Sequence, residues 1–260
     1  MLDLGFDMEV KTIIGACKPK HQRQTVMFSA TWPKSVRDLA HSYMCKPITV
    51  TVGNSNQLTA NESIKQIVEV LEPHQKDQKL IDLLNKYHNR TNRVLVFVLY
   101  KKEATRVENA VRRAGWKCGS IHGDKSQKER TESITNFRDG SNPLLIATDV
   151  AARGLDIPDV EYVINYTFPL TVEEYCHRIG RTGRAGKTGC SHTLFTVYDK
   201  AHSGSLINVL KAAKQVVPNN LLKFGTTVKK KEHKEYGAFY KDVDPNVKGT
   251  KISFGSDDDE

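Results

Sequence analysis

Three arginines at every third position, Arg178, Arg181 and Arg184, alternate with glycines in the run His177-Arg178-Ile179-Gly180-Arg181-Thr182-Gly183-Arg184-Ala185-Gly186. Guanidinium forks hold phosphate oxygens at two points, and glycine lets the backbone approach a ligand closely or take a positive φ. A basic helix C-terminus, favoured by the helix dipole, explains one such arginine but not three with glycines between them. The run therefore predicts phosphate contact. A second group, Ala147-Thr148-Asp149-Val150-Ala151-Ala152-Arg153-Gly154-Leu155-Asp156-Ile157, places a hydroxyl, two carboxylates, an arginine and a glycine behind an apolar strand. It reads equally as a chemical crossover or as a strand-to-helix turn capped by Asp149. A third group, His122-Gly123-Asp124 with Gln127 and Arg130, precedes a helix N-terminus whose amides suit a phosphate. A tight turn before a capped helix would contain the same residues.

These groups need strands and helices to position them. The apolar run 24–28 ends at Ser29-Ala30-Thr31 and reads as a buried strand with small hydroxyls at its tip. Pro33 suits the first turn of a helix reaching about Cys45, and the β-branched run 48–52 reads as another strand. The polar stretch 53–65 reads as a linker. Beyond it, strands are predicted over 66–71, 94–99, 144–147, 160–164 and 190–195, with helices over 76–88, 101–115 and 203–214. Capping boxes at Ser126 to Glu129 and Thr171 to Glu174 open two more helices, toward Phe137 and Gly180. Alternation of strand and helix, with unbroken apolar strands, indicates a parallel sheet covered on both faces. Ligands of such sheets sit at the carboxyl ends of the strands, where the three groups fall. Beyond Val217 the periodicity fades into a basic run at Lys229-Lys230-Lys231 and an acidic end, read as a tail.

The formal net charge of +9 points to polyanionic partners, nucleic acid first, or to a basic but inert surface. Five cysteines without a Cys-x-x-Cys pair argue against zinc knuckles and a disulfide framework, and fit a reducing compartment. The longest apolar run, 94–100, falls far short of the roughly 20 residues that span a bilayer. The segment Met1 to Phe6 lacks the pattern of a signal peptide, so an intracellular protein is expected.

In order and approximate spacing, Ser29-Ala30-Thr31, the His122 turn, the 147–157 stretch and the His177 run resemble the DEAD-box RNA helicases, over residues 1 to about 214. Relatives acting on other substrates usually carry glutamine where His177 stands, which disfavours a DNA translocase. The opening Met1-Leu2-Asp3-Leu4-Gly5-Phe6 resembles the segment after the Asp-Glu-Ala-Asp motif. The stretch from Lys223 through His233 resembles nucleolar members that serve ribosome assembly.

The resemblance implies an α/β chain with a RecA-like parallel sheet, helices on both faces, over 66–215. It would follow a partial first RecA-like (ATP-binding) domain over 1–52 and the 53–65 linker, and precede a flexible tail over 216–260. Arg181 and Arg184 would be arginine fingers toward the ATP γ-phosphate, with Asp156 on the ribose and Gly154 beside the nucleotide. His177 would couple the nucleotide to Ser29 and Thr31, and Arg153 would help close the cleft. Gly123, Asp124, Arg130 and Thr148 would hold the RNA phosphate backbone without regard to sequence. Implied cofactors are ATP and Mg2+, the metal ligands lying mostly in the first domain. Implied partners are RNA and pre-ribosomal particles, for a monomer acting in ribosomal RNA processing in the nucleolus.

Two departures matter. Gly186-Lys187-Thr188 imitates a phosphate-binding loop, but that motif needs glycine where Arg181 stands, and Gly180 is one residue too far. No Asp-Glu-Ala-Asp motif occurs either, so the chain is expected to be a fragment that does not hydrolyse ATP by itself. A non-catalytic RNA-binding module is the alternative. Tyr100 stands where many relatives carry threonine or serine, so no RNA contact is transferred to it.

Overall fold

The continuous apolar runs form strands that are buried on both faces. The computed structural model describes residues 7–29, 34–50, 62–152, 160–184 and 186–228. Six strands build one sheet: β1 (Ile64–Val70), β2 (Arg93–Val98), β3 (Gly119–Ile121), β4 (Leu144–Thr148), β5 (Val160–Asn165) and β6 (Gly189–Phe195). All neighbours are parallel, in the order β1-β6-β5-β2-β4-β3. The helices are α1 (Asp7–Gly15), α2 (Lys34–Tyr43), α3 (Lys76–Tyr87), α4 (Lys101–Arg113), α5 (Gln127–Asp139), α6 (Asp149–Ala152), α7 (Val172–Ile179), α8 (Ser203–Ala212) and α9 (Asn219–Leu222).

Side chains alternate across a strand, so each central strand serves two cores. Val94, Val96 and Val98 of β2 meet Leu80, Leu83 and Leu84 of α3 and Ala104, Val107 and Val111 of α4. Leu95 and Phe97 point the other way, to Phe137 of α5 and Ala152 of α6. On that second face, Ile64, Val68 and Phe195 pack against Val172, Tyr175 and Ile179 of α7 and Leu206 and Leu210 of α8. Caps fix the helix starts. Ser126 and Glu129 form a reciprocal capping box on α5, which ends at Gly140 with φ +85. The Thr171 side chain accepts from the Glu174 amide to start α7.

Several expectations change. Residues 24–28 and 48–50 form no strand, and Val26 (68%), Phe28 (92%), Ile48 (91%) and Val50 (80%) are exposed. A strand needs a neighbouring ladder, and no described strand pairs with these segments. Strand β1 begins at Ile64, within the stretch expected as linker. The expected tail is packed at its start: Leu221 is fully buried, and Val217 and Phe224 lie against the α8 core. The Ser203 hydroxyl donates to the Gly225 carbonyl at 2.8 Å, which closes this segment over α8. Helix α1 was not foreseen.

Phe137 is fully buried between β2, β3 and β4. Phe137→Ala is expected to reduce unfolding free energy by about 3–5 kcal/mol, the range for emptied aromatic core sites, as measured by urea denaturation.

Candidate functional site

From β2 the chain passes to the edge strand β3, returns to β4, then crosses β2 to reach β5. Such reversals leave a crevice at the carboxyl ends of the strands. Here it is an open cleft of ≈ 880 Å³, lined by Leu99 and Tyr100 after β2, Lys101, Lys102, Glu103 and Arg106 of α4, Gly123, Arg130 and Thr148, and Val150 and Ala151 of α6. Three of the four residues expected at RNA, Gly123, Arg130 and Thr148, thus share one concavity. The fourth, Asp124, pairs with Lys101 at 2.6 Å on the rim. A Cβ added at Gly123 would meet nothing within 4 Å, so a ligand backbone has room there. The Nε of Arg130 is buried without a hydrogen-bond partner, a donor that a phosphate oxygen would satisfy.

The second group is organised by Arg178. Its side chain is 1% exposed and holds the Asp149 carboxylate with both Nε and Nη2, each at 2.6 Å. Its Nη1 donates to the Thr167 carbonyl at 2.6 Å, and the guanidinium lies 5.1 Å from the Phe97 ring centroid. Of the three arginines read as phosphate contacts, this one is therefore internal. His177 and Arg181, four residues apart and so on one side of the helix end, line a small hollow with Phe97, Asp149, Ala152, Glu174 and Arg178. Arg184 is exposed, its Nε donating to the Gly180 carbonyl at 2.7 Å.

Glycine is required in this loop at Gly183. Its φ is +66, and a Cβ there would meet Ile64 Cγ1 at 2.6 Å. Gly180, with φ −66, needs no special backbone. The Thr182 hydroxyl donates to the Glu161 carbonyl at 3.0 Å, and Ser63 donates to the Gly183 carbonyl at 3.3 Å. The arginine loop is thereby stitched to β5 and to the start of β1.

The remaining expectations stand apart. Ser29 is exposed and lies outside any helix or strand. Thr31, Arg153, Gly154 and Asp156 lie outside the described residues. Two further residues belong to the cleft: Tyr100, to which no RNA contact was transferred, and Arg106, which the sequence did not single out. Tyr100, 63% exposed, lines the cleft, and Arg106 joins it while bonded to Asp77 and Tyr166. Basic residues at one-turn spacing on α4 were the available signal. Among the described residues no group of three or more His, Cys, Asp or Glu could hold a metal ion.

Two solution properties follow. Asp149→Asn leaves the buried Arg178 without its counter-charge and is expected to cost about 3–5 kcal/mol of stability, read by urea unfolding. Burial also holds His88, His122 and His192 below their ordinary value of 6.5, despite Asn92 bonds to His88 and the Glu69 contact of His192. The unfolded chain then takes up protons that the folded chain refuses, so stability falls as pH drops below 6.5. Carboxylates enter later. Burial raises Glu69 and Asp77, but bonds to Lys79 and Arg106 leave them below ordinary values of 4.5 and 3.8. A thermal midpoint that falls between about pH 7 and about pH 5 is the expected result, checked by calorimetry.

Comparison with known proteins supplies the context. Residues 75–186 match the model of the helicase conserved C-terminal domain. The chain is 60% identical over 259 residues to the ATP-dependent RNA helicase DBP3 of Phaeosphaeria nodorum, covering 98% of this chain and 43% of that protein. It is 56% identical over 257 residues to DBP3 of Saccharomyces cerevisiae, covering 98% of this chain and 49% of that one. The chain thus spans about half the length of the curated relatives it matches. Among solved structures, S. cerevisiae Dbp5 bound to RNA and ADP BeF3 matches with TM-score 0.61 and 29% identity, over 78% of this chain and 50% of that one. The E. coli DEAD-box protein SrmB, solved with regulator of ribonuclease activity A, matches with TM-score 0.52 and 33% identity, over 61% of this chain and 93% of that one. With the motif order, the parallel RecA-like sheet and these likenesses in agreement, the chain belongs to the DEAD-box RNA helicase family.

Proposed function

We propose that this chain is the downstream half of an ATP-dependent RNA helicase that separates short RNA duplexes. The supporting observation is the Asp149–Arg178 clamp, which sets the His177 and Arg181 hollow directly behind the Thr148 side of the cleft. A nucleotide face and an RNA face then share one strand end. In this reading residues 1–52 close an ATP-binding domain, the stretch from 53 to about 63 links it to the second domain, and that domain begins with β1 at Ile64. Its packing extends to about Gly225, with a charged tail beyond.

Arg181 and Arg184 supply guanidinium groups to the γ-phosphate held by the upstream lobe, where transition-state charge develops. The residues fit that group: two arginines on one loop, tied down by the Thr182 hydroxyl and by the Ser63 bond to the Gly183 carbonyl, offer cationic donors to an anion. Asp156 and Gly154 serve the ribose and the nucleotide edge, His177 couples the nucleotide to Ser29 and Thr31, and Arg153 helps close the cleft. The protein ligands of a nucleotide-bound Mg2+ would lie mostly in the upstream lobe, where the ion would offset phosphate charge. Gly123, Asp124, Arg130 and Thr148 hold the RNA backbone, so binding is independent of sequence and weakens with salt. Ribosomal RNA processing within pre-ribosomal particles, by a monomer in the nucleolus, is the biological setting we infer. The +9 charge and the basic 229–231 run support it.

The experiment supplies the ATP-binding half of the S. cerevisiae relative in trans. RNA-stimulated ATP hydrolysis is expected, and Arg181→Ala should lower kcat by about 10³-fold, the scale of an arginine finger. RNA binding that persists without complementation under any condition would instead favour a non-catalytic RNA-binding module.

A further inference from the structure

Between the cleft and the Asp149–Arg178 clamp runs a chain of polar groups, Lys76, Glu103 and Thr167, to which no role has yet been given. It starts at the cleft floor, where the Leu99 amide donates to Glu103 Oε2 at 2.9 Å. The Thr167 hydroxyl donates to Glu103 Oε1 at 2.6 Å and accepts from Lys76 Nζ at 2.9 Å. The Thr167 carbonyl accepts from Arg178, which grips Asp149 at the first position of α6. Val150 and Ala151 of α6 line the same cleft. The chain therefore closes on itself, from one wall of the cleft to the other, through the helix that bears His177.

Its bond directions are fixed by chemistry. An ammonium only donates and a carboxylate only accepts, so the Thr167 hydroxyl has one arrangement available: accept from Lys76, donate to Glu103. The groups are largely withdrawn from water, with side-chain exposures of 13% for Lys76, 18% for Glu103 and 1% for Arg178. The Lys76 ammonium also lies 4.3 Å from the Tyr166 ring centroid. Glu103 sits in the first turn of α4 beside Lys101 and Lys102, so displacement of that turn displaces Glu103. Thr167 follows through its hydroxyl, and Arg178 follows through the Thr167 carbonyl.

We propose that Thr167 is a positioning residue that couples RNA occupancy of the cleft to the placement of the His177–Arg184 loop. The coupling rests on the assignment of RNA to the cleft and adds to it a defined route to the nucleotide side. An anchor that served stability alone would leave the two sites independent.

The test follows amide hydrogen exchange of the full 260-residue chain during titration with single-stranded oligouridylate. In the parent, RNA is expected to slow exchange over 99–105 and 122–130, and also over 176–184. Thr167→Val preserves shape and deletes the hydroxyl. It should retain protection of the cleft while the slowing over 176–184 shrinks about fivefold or more, the scale of a typical coupling between sites. Thr167→Ser, which keeps the hydroxyl, should restore it. Lys76→Met, which removes one bond to that hydroxyl, should give a partial loss and decides the matter if Thr167→Val does not fold. Equal slowing in the parent and the deciding variant overturns the coupling, as does a protected cleft with no change over 176–184. Absence of any cleft protection in the parent overturns the RNA assignment, and the coupling with it.

Discussion

A guanidinium with 1% exposure is the constraint around which both sites are arranged. Removing such a cation from water costs several kcal/mol, and only good geometry offsets it. Arg178 has that geometry: two bonds to Asp149, one to the Thr167 carbonyl, and the face of Phe97. Its partners come from β2, from the start of α6 and from the segment after β5. The pair therefore requires three separate strand ends to be in register before α7 can seat. Helical residues are spaced about 100° apart, so fixing Arg178 inward also fixes the roll of α7. His177 and Arg181 are left facing the same hollow.

The sheet contributes a second constraint. Side chains alternate at a strand's end as they do along it, so neighbouring residues leave β4 toward different places. Thr148 lines the cleft, while Asp149 lines the hollow beneath His177 and Arg181. Helix α6 repeats the division: Val150 and Ala151 face the cleft, and Ala152 faces the hollow. Five consecutive residues, 148–152, thus line both the cleft and the hollow, with the main chain between them as their partition. A linear order of motifs cannot show this, because the two faces differ by direction and not by residue type.

What was legible in the sequence follows from the same physics. Strands buried on both faces appear as unbroken apolar runs, so β2 and β4 were readable, as were α5 and α7 from their caps. The arginine periodicity was readable as a site, but spacing alone does not say which arginine turns inward. That depends on Asp149 and Phe97, which are 29 and 81 positions away in the chain. The 24–28 run misled because apolar character specifies a strand only where a neighbouring strand exists. The packed segment beyond Val217 gave no signal because it is held by isolated contacts of Leu221 and Phe224, without a period.

Two ion pairs of equal length show how position determines use. Lys101–Asp124 and Arg178–Asp149 are both 2.6 Å pairs. The first has side chains 58% and 50% exposed, the second 1% and 14%. In water an exposed pair contributes about 0–1 kcal/mol and exchanges partners readily. Lys101 can therefore give up a carboxylate for a phosphate at small cost, and Asp124 can turn to a hydroxyl of the same ligand. The buried pair has no such freedom, since separating it would strand a charge away from solvent. On the proposed reading, the surface that binds and releases a polyanion is thus built from the weak pair. The platform that must hold an arginine loop still is built from the strong one.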